Sequence, residues 1–384
     1  MAYSFTLVRA PQASLDQIIK PQDLKALTSL RFFAALWVVL YTYINELKMG
    51  VHFGLIDHGY LGVDLFFVLS GFILSHVYLE EFGAGRFNYA TFITHRLARI
   101  YPLHLATLLF TVLLLGIAAW NGVQLDANAG NPAALPAHLL LVQAWGLAPT
   151  ASFNHPSWSI SAEWFAYLSF PAVAFAAWRL RARPMLATGL SVLLLVVLYI
   201  AFDAVTGSPL THATFQWGAL RVVPAFLLGA ALYLARRAGA VKREGVAMAG
   251  AMVAGLIIVA AGSYSRADVV IVIACGLLVL SMSGLGRDGT GILSSPLLVY
   301  LGEISFASYM VYVPWKWVYL RLVNGLLGTD HAPMPFIWWF AGLLALVPIS
   351  MLAHHLIEVP CRGLVRRYGE KILVRFGPKF ARQG

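Results

Sequence analysis

Residues Met185 to Phe202 read Met-Leu-Ala-Thr-Gly-Leu-Ser-Val-Leu-Leu-Leu-Val-Val-Leu-Tyr-Ile-Ala-Phe, eighteen positions without one charged side chain. As a helix rising 1.5 Å per residue, this run is about 27 Å long, close to the ~30 Å hydrocarbon thickness of a bilayer. An apolar surface on every side of a helix suits lipid, because backbone groups are satisfied within the helix and side chains need no water. Working outward from this run, comparable stretches lie near 27–45, 60–79, 103–120, 158–178, 215–235, 246–262, 268–283, 298–320 and 336–357. With 185–205 they make ten. The composition agrees: 60% of the 384 residues are hydrophobic and only 11% charged. A soluble domain carries about 25% charged residues. The expected fold class is therefore all-α, a polytopic integral membrane protein.

An eleventh, weaker run at 136–148 begins at Pro136, and charge placement decides whether it crosses. Short cytoplasmic loops carry the excess of Lys and Arg. With ten spans, 136–148 not crossing and both ends inside, 22 of the 27 Lys and Arg residues fall on the cytoplasmic side. Only Lys48 and Arg266 fall outside, and Arg221, Lys316 and Arg321 lie within spans. A crossing at 136–148 would place Arg179, Arg181 and Arg183 outside and invert every later loop. The reading is ten spans with both termini cytoplasmic. Segment 121–157 then lies outside without a Lys or Arg and is expected to hold a re-entrant or an interfacial helix.

The formal net charge of +10 follows the membrane's cytoplasmic face, which argues against a nucleic-acid partner and for the lipid bilayer. Residues 1–24 are polar and lack the charged-then-apolar pattern of a cleaved signal. They read as a cytosolic lead-in to one transmembrane domain over 25–360. A basic cytosolic tail, 361–384, follows and suits an anionic lipid surface. Cys275 and Cys361 have neither metal-ligand nor disulfide spacing, and no metal is expected.

Ionisable groups at membrane depth are costly and mark candidate sites. The sequence places Arg31, Asp64, Glu163 and Arg221 in or at the mouths of spans. Glu303, Lys316, Arg321, His354, His355 and Glu358 follow toward the end. Lys316 and Arg321 have stems long enough to reach an interface, whereas the short carboxylates Asp64 and Glu163 need partners such as Arg31 or Arg221.

Several segments carry a resemblance. They are Leu30-Arg-Phe-Phe-Ala-Ala-Leu-Trp-Val-Val-Leu-Tyr-Thr-Tyr43, Gly59-Tyr-Leu-Gly-Val-Asp-Leu-Phe-Phe-Val-Leu-Ser-Gly-Phe72 and Arg96-Leu-Ala-Arg-Ile-Tyr-Pro-Leu-His104. Trp158-Ser-Ile-Ser-Ala-Glu-Trp-Phe-Ala-Tyr-Leu-Ser-Phe-Pro171, Arg221-Val-Val-Pro-Ala-Phe-Leu-Leu-Gly229, Leu301-Gly-Glu-Ile-Ser305 and Glu358-Val-Pro-Cys-Arg362 follow in order. In this series, from about residue 24 to 367, the chain resembles the acyltransferase family 3 membrane proteins. The resemblance implies a ten-helix inner-membrane O-acyltransferase. Such an enzyme takes an acyl group, most often acetyl, from cytosolic acyl-CoA and passes it to a hydroxyl of a carbohydrate or lipid-linked glycan across the membrane. Arg31, Ser70, Arg96, Arg99 and Arg221 would form the acyl-CoA set, since a polyphosphate needs fixed positive charge. Asp64 or Glu163 would hold the catalytic imidazole or the acceptor hydroxyl. A permease for a sugar or lipid-linked glycan, with buried charges lining its pathway, is the alternative; it needs no Arg31, Arg96 and Arg99 cluster.

One departure bears on catalysis. The family motif sets a basic residue, ten residues and then a histidine; counted from Arg31 the histidine position is Thr42. In a helix, position 42 lies about 16 Å from Arg31 on the same face. A hydroxyl attacks a thioester well only beside a base that titrates near neutral pH, which imidazole is and threonine is not. His52, His58 and His155 can replace it only where the fold brings them to the site. Three readings follow: an engineered inactive variant that holds a substrate complex, a natural member with altered chemistry, or a member that kept binding or transport alone. The first is favoured because the rest of the motif set is intact, and impaired turnover is expected. A second, milder departure is Tyr312, where many relatives carry histidine.

Overall fold

The computed structural model describes residues 23–47, 53–123, 126, 128–264, 266–286, 291–328 and 334–380. His52, Lys48, Arg287 and residues 1–22 lie outside these, as do the side chains beyond Val374. Among the described residues the helix is the one regular element, apart from one bridge pair, Leu47 with Met334. Twelve helices carry the architecture: α1 Lys25–Tyr43, α2 Gly62–Gly83, α3 Tyr89–Trp120, α4 Ser157–Arg179, α5 Pro184–Thr206 and α6 Gly218–Arg237. They continue as α7 Glu244–Ala261, α8 Asp268–Met282, α9 Pro296–Glu303, α10 Ser305–Leu327, α11 Phe336–Ala353 and α12 Val359–Phe380.

Among the described residues eight helices are long and apolar enough to cross a membrane, and nine if the α9–α10 pair, bent by 58°, counts as one span. The remaining expected crossing is α8, whose fifteen residues make about 22 Å and so cover only part of the hydrocarbon. Every expected apolar run is therefore helical.

Successive helices alternate in direction, and contacts between their ends show it. Arg237 at the end of α6 pairs with Glu80 near the end of α2 at 2.9 Å, so these two ends share one face. Arg179, Arg181, Arg183 and Arg236 belong to the same set of ends, which makes this the basic face. At the opposite face Tyr60, ahead of α2, reaches Asp268 at the start of α8, and Leu47 after α1 pairs with Met334 before α11.

Lipid offers no hydrophobic drive between helices, so close backbone approach at small residues takes its place. In α2 and α6 the approach is reciprocal. A Cβ on Gly71 would lie 2.0 Å from the Phe226 carbonyl oxygen, and one on Gly229 would lie 2.0 Å from that of Val68. These two helices form the centre: 78% of the apolar stretch of α6 is buried, against 17% for α5 and for α7. The Leu301-Gly-Glu-Ile-Ser305 segment is the α9–α10 bend. Ser305 donates to the Gly302 carbonyl at 2.7 Å, and Gly302 lets α9 rest on the α1 backbone at Thr28.

Segment 136–148 is not one helix. It makes a short helix, Leu135–Leu139, and a π-turn, Gln143–Leu147, separated by Leu141 in the left-handed region at φ 57°. Pro136 starts the first piece, and the second is held against α4: the Ala144 amide donates to Ser161 Oγ at 3.0 Å and Trp145 Nε1 to the Ser161 carbonyl at 3.1 Å. At the chain's end α11 continues through a π-turn, His354–Glu358, into α12. α12 docks on α3 where His95 meets Glu370 at 2.8 Å.

Candidate functional site

Two cavities lie end to end in the helix bundle, and the candidate residues sort between them. The first encloses about 310 Å³ and is lined by Arg31 of α1, Ser70 of α2, Arg96 and Arg99 of α3, and Glu163 and Tyr167 of α4. Tyr167 donates to Glu163 Oε1 at 2.6 Å, and Ser70 donates to the same oxygen. That carboxylate is thus engaged by neutral hydroxyls. Arg31, Arg96 and Arg99 form no ion pair among the described residues. The Arg96 guanidinium lies over the rings of Tyr78, Phe92 and Tyr167 at 5.7, 5.9 and 5.9 Å. Its Nε is buried without a hydrogen-bond partner. Buried cations without a carboxylate partner are costly unless an anion completes them. Three arginines converging on one cavity make it a site for an anion.

The second cavity encloses about 550 Å³ and is lined by Thr42 of α1, Arg221 of α6, Tyr309, Tyr312 and Lys316 of α10, and His155 ahead of α4. His212, between α5 and α6, lines it too. Val63 and Tyr309 line both cavities, so a wall one side chain thick separates them. The Tyr309 hydroxyl is fixed in that wall by Ser159 Oγ at 2.8 Å and by the Pro156 carbonyl, to which it donates at 3.3 Å.

The sequence offers Arg221 as a partner for a short carboxylate inside a span, and the structure pairs it with Asp64. Arg221 donates from Nη2 to Asp64 Oδ2 at 2.6 Å and from Nε to Asp64 Oδ1 at 3.2 Å. Its remaining donors reach the Ala213 and Tyr60 carbonyls at 3.1 and 3.2 Å, and the guanidinium stacks over Trp158 at 4.9 Å. With its donors committed, Arg221 stands in the wall of the second cavity, apart from Arg31, Arg96 and Arg99. Asp64 is buried and lines neither cavity; both its oxygens serve Arg221. Glu163 does sit in the first cavity, as expected of a site carboxylate.

Thr42 is half-buried, its hydroxyl donating to the Val38 carbonyl at 3.0 Å. Of the alternative imidazoles, His58 lines neither cavity: its Nδ1 meets the Gly54 carbonyl at 2.9 Å and its Nε2 lies 3.8 Å from Asp268. His155 does line the second cavity. Lys316 pairs with Glu46 at 2.8 Å as well as lining that cavity, so it is more than an interface anchor. Tyr309 and His212 were not legible as site residues, because a shared wall and a connector turn leave no spacing pattern in one sequence.

Comparisons with known proteins agree with this arrangement. The acyltransferase domain family matches residues 24–355. Acyltransferase MdmB of Streptomyces mycarofaciens is 30% identical, over 90% of this chain and 93% of its own length. A protein described as protein 2 in picA locus, from Rhizobium radiobacter, is 47% identical over 49 residues, 13% of this chain and 26% of its own. No solved structure matches. A multi-pass helical bundle, three unpaired arginines in one cavity and a family match across nearly the whole chain lead to one conclusion: this protein belongs to the acyltransferase family 3 membrane proteins.

Proposed function

We propose that this acyltransferase moves an acetyl or similar short acyl group from acyl-CoA in the first cavity to an acceptor hydroxyl in the second. The supporting observation is the shared wall: Val63 and Tyr309 line both cavities, so a thioester held by one and a hydroxyl held by the other approach each other there. Arg31, Arg96 and Arg99 bind the CoA phosphates, and the Arg96 stack on three rings holds its fork in one orientation. Glu163, gripped by Ser70 and Tyr167, sets the polarity of the cavity floor near Arg31. The cytoplasmic side is the basic face, because short loops rich in Arg stay inside. CoA then enters from the cytoplasm of an inner, plasma membrane. The acceptor, a carbohydrate or a lipid-linked glycan, arrives from the far side. Asn45 and Tyr312 in the second cavity offer polar groups suited to such an uncharged partner.

The transfer is a single displacement. The acceptor oxygen attacks the thioester carbonyl carbon, the C–S bond breaks, and the acceptor's proton ends on the CoA sulfur. Thr42 cannot take that proton. Without any base, turnover falls by about 10² to 10⁴-fold. The test uses membranes containing the protein and acetyl-CoA labelled in the acetyl group. Label in extractable glycan, reduced by Arg96→Ala, is the expected result; equal label with and without the protein overturns the proposal.

A further inference from the structure

We propose that His155 is the general base of this enzyme, acting in the cavity that is also lined by the threonine at the family's histidine position. The inference rests on the proposed transfer reaction and adds the identity of its proton acceptor.

The geometry around His155 is that of a held side chain. Asn154 and Pro156 on either side are buried, while His155 itself opens onto the second cavity. Both neighbours are tied to α10 beside the shared wall: Asn154 Nδ2 donates to the Met310 carbonyl at 2.9 Å, and the Pro156 carbonyl accepts from Tyr309 at 3.3 Å. The Trp158 amide donates to the His155 carbonyl at 3.2 Å, which fixes the backbone into the first turn of α4. The imidazole packs on the Phe215 ring at 5.5 Å, and its nitrogens have no hydrogen-bond partner among the described residues. A base must have a free lone pair, and the His155 ring brings one to the lining of the second cavity.

The other groups on this cavity are less suited. Arg221 and Lys316 are cations paired with Asp64 and Glu46. Tyr309 and Tyr312 are phenols, which keep their protons at neutral pH and so cannot accept one. His212 stacks edge-on against Tyr60 at 4.9 Å and is shared with a third cavity, which Trp217 also lines. Thr42 lies one residue from the end of α1, and His155 lies two residues ahead of the start of α4. The two positions therefore sit at the same face of the bundle, and both line one cavity. In the step, a His155 ring nitrogen takes the acceptor's proton as its oxygen bonds to the acyl carbon. The C–S pair leaves as CoA thiolate, and the imidazolium returns the proton to that sulfur.

The experiment measures CoA thiol release from acetyl-CoA by the full chain in nanodiscs, with methyl glucoside as acceptor probe. Acetyl-CoA binding is measured on the same samples. His155→Gln should lower the release rate about 10² to 10⁴-fold with acetyl-CoA affinity retained. His155→Ala should behave likewise and regain rate on adding free imidazole. A variant that loses acetyl-CoA binding as well has failed to fold, and the imidazole rescue of the alanine variant then decides. An unchanged rate in both variants overturns the proposal while leaving the transferase reading in place. Loss on His212→Gln with none on His155→Gln also overturns it, by moving the base to the neighbouring imidazole. Acetyl-CoA bound by the unaltered chain but never cleaved overturns His155 as base. Neither binding nor cleavage overturns the transferase reading itself.

Discussion

Arg221 and Asp64 form a two-point ion pair, at 2.6 and 3.2 Å, with both side chains sealed from solvent between α2 and α6. Removing one member leaves an uncompensated buried charge, which costs about 3 to 5 kcal/mol. Asp64→Asn or Arg221→Leu is therefore expected to lower the thermal unfolding midpoint of the detergent-solubilised protein sharply. The double replacement Asp64→Asn with Arg221→Leu should recover part of that loss. Single variants with an unchanged midpoint would refute this account.

Among the described residues Arg96 has no carboxylate partner, and it lies in the cavity with Arg31 and Arg99. A hydrogen bond to a charged group contributes about 1.5 to 3 kcal/mol. Arg96→Ala or Arg99→Ala should thus weaken acetyl-CoA binding by about 10 to 100-fold. The unfolding midpoint should stay near that of the unaltered chain, since neither residue closes an ion pair. Equilibrium titration with acetyl-CoA checks both; unchanged affinity in both variants and in Arg31→Ala would leave these arginines as plain flanking charge.

Position 42 and His155 face the same cavity, so a second imidazole should compensate for the loss of the first. Thr42→His in a His155→Gln background is expected to restore much of the lost thiol release, with little effect on acetyl-CoA affinity. In the otherwise unaltered chain the same change should raise the rate only modestly. Thr42→Ala abolishing the rate while Thr42→His leaves it unchanged would make the threonine itself the working group.

The pH profile has a defined sign. His155 opens onto its cavity, yet the surrounding wall removes enough water to hold its pKa below the usual 6.5. A base works in its neutral form, so kcat/KM should rise with pH through an inflection below 6.5 and level off above it. His155→Gln should flatten that acid limb. An inflection that survives the substitution would assign the titration to another group.

Orientation can be read with a reporter enzyme that is active only outside the cytoplasm. Fused after Thr150 it should give signal, and fused after Ala182 it should give none, because 179–183 carries three arginines. Signal at Ala182 would invert the assignment of the basic face.

The apolar runs alone determined that this chain is a helical bundle in lipid, because an uncharged eighteen-residue stretch has few other homes. Arg31, Ser70, Arg96 and Arg99, four of the five residues that the resemblance groups, line one cavity together with Glu163, each on a regular helix whose face follows from its period. The need of Asp64 for a partner such as Arg221 was legible, because a short carboxylate inside a span cannot reach water. That the pair commits both Asp64 oxygens and sets Arg221 apart from Arg31, Arg96 and Arg99 was not, since it takes the α2–α6 packing to join residues 157 positions apart. The break at Leu141 is a tertiary outcome too, set by Ser161 capturing the backbone that a lone apolar run would keep helical. Above all, a missing histidine at 42 reads in one dimension as lost chemistry. The fold brings His155 to the cavity that Thr42 lines through hydrogen bonds of its neighbours Asn154 and Pro156 to Met310 and Tyr309, contacts between turns and helices that no local pattern encodes.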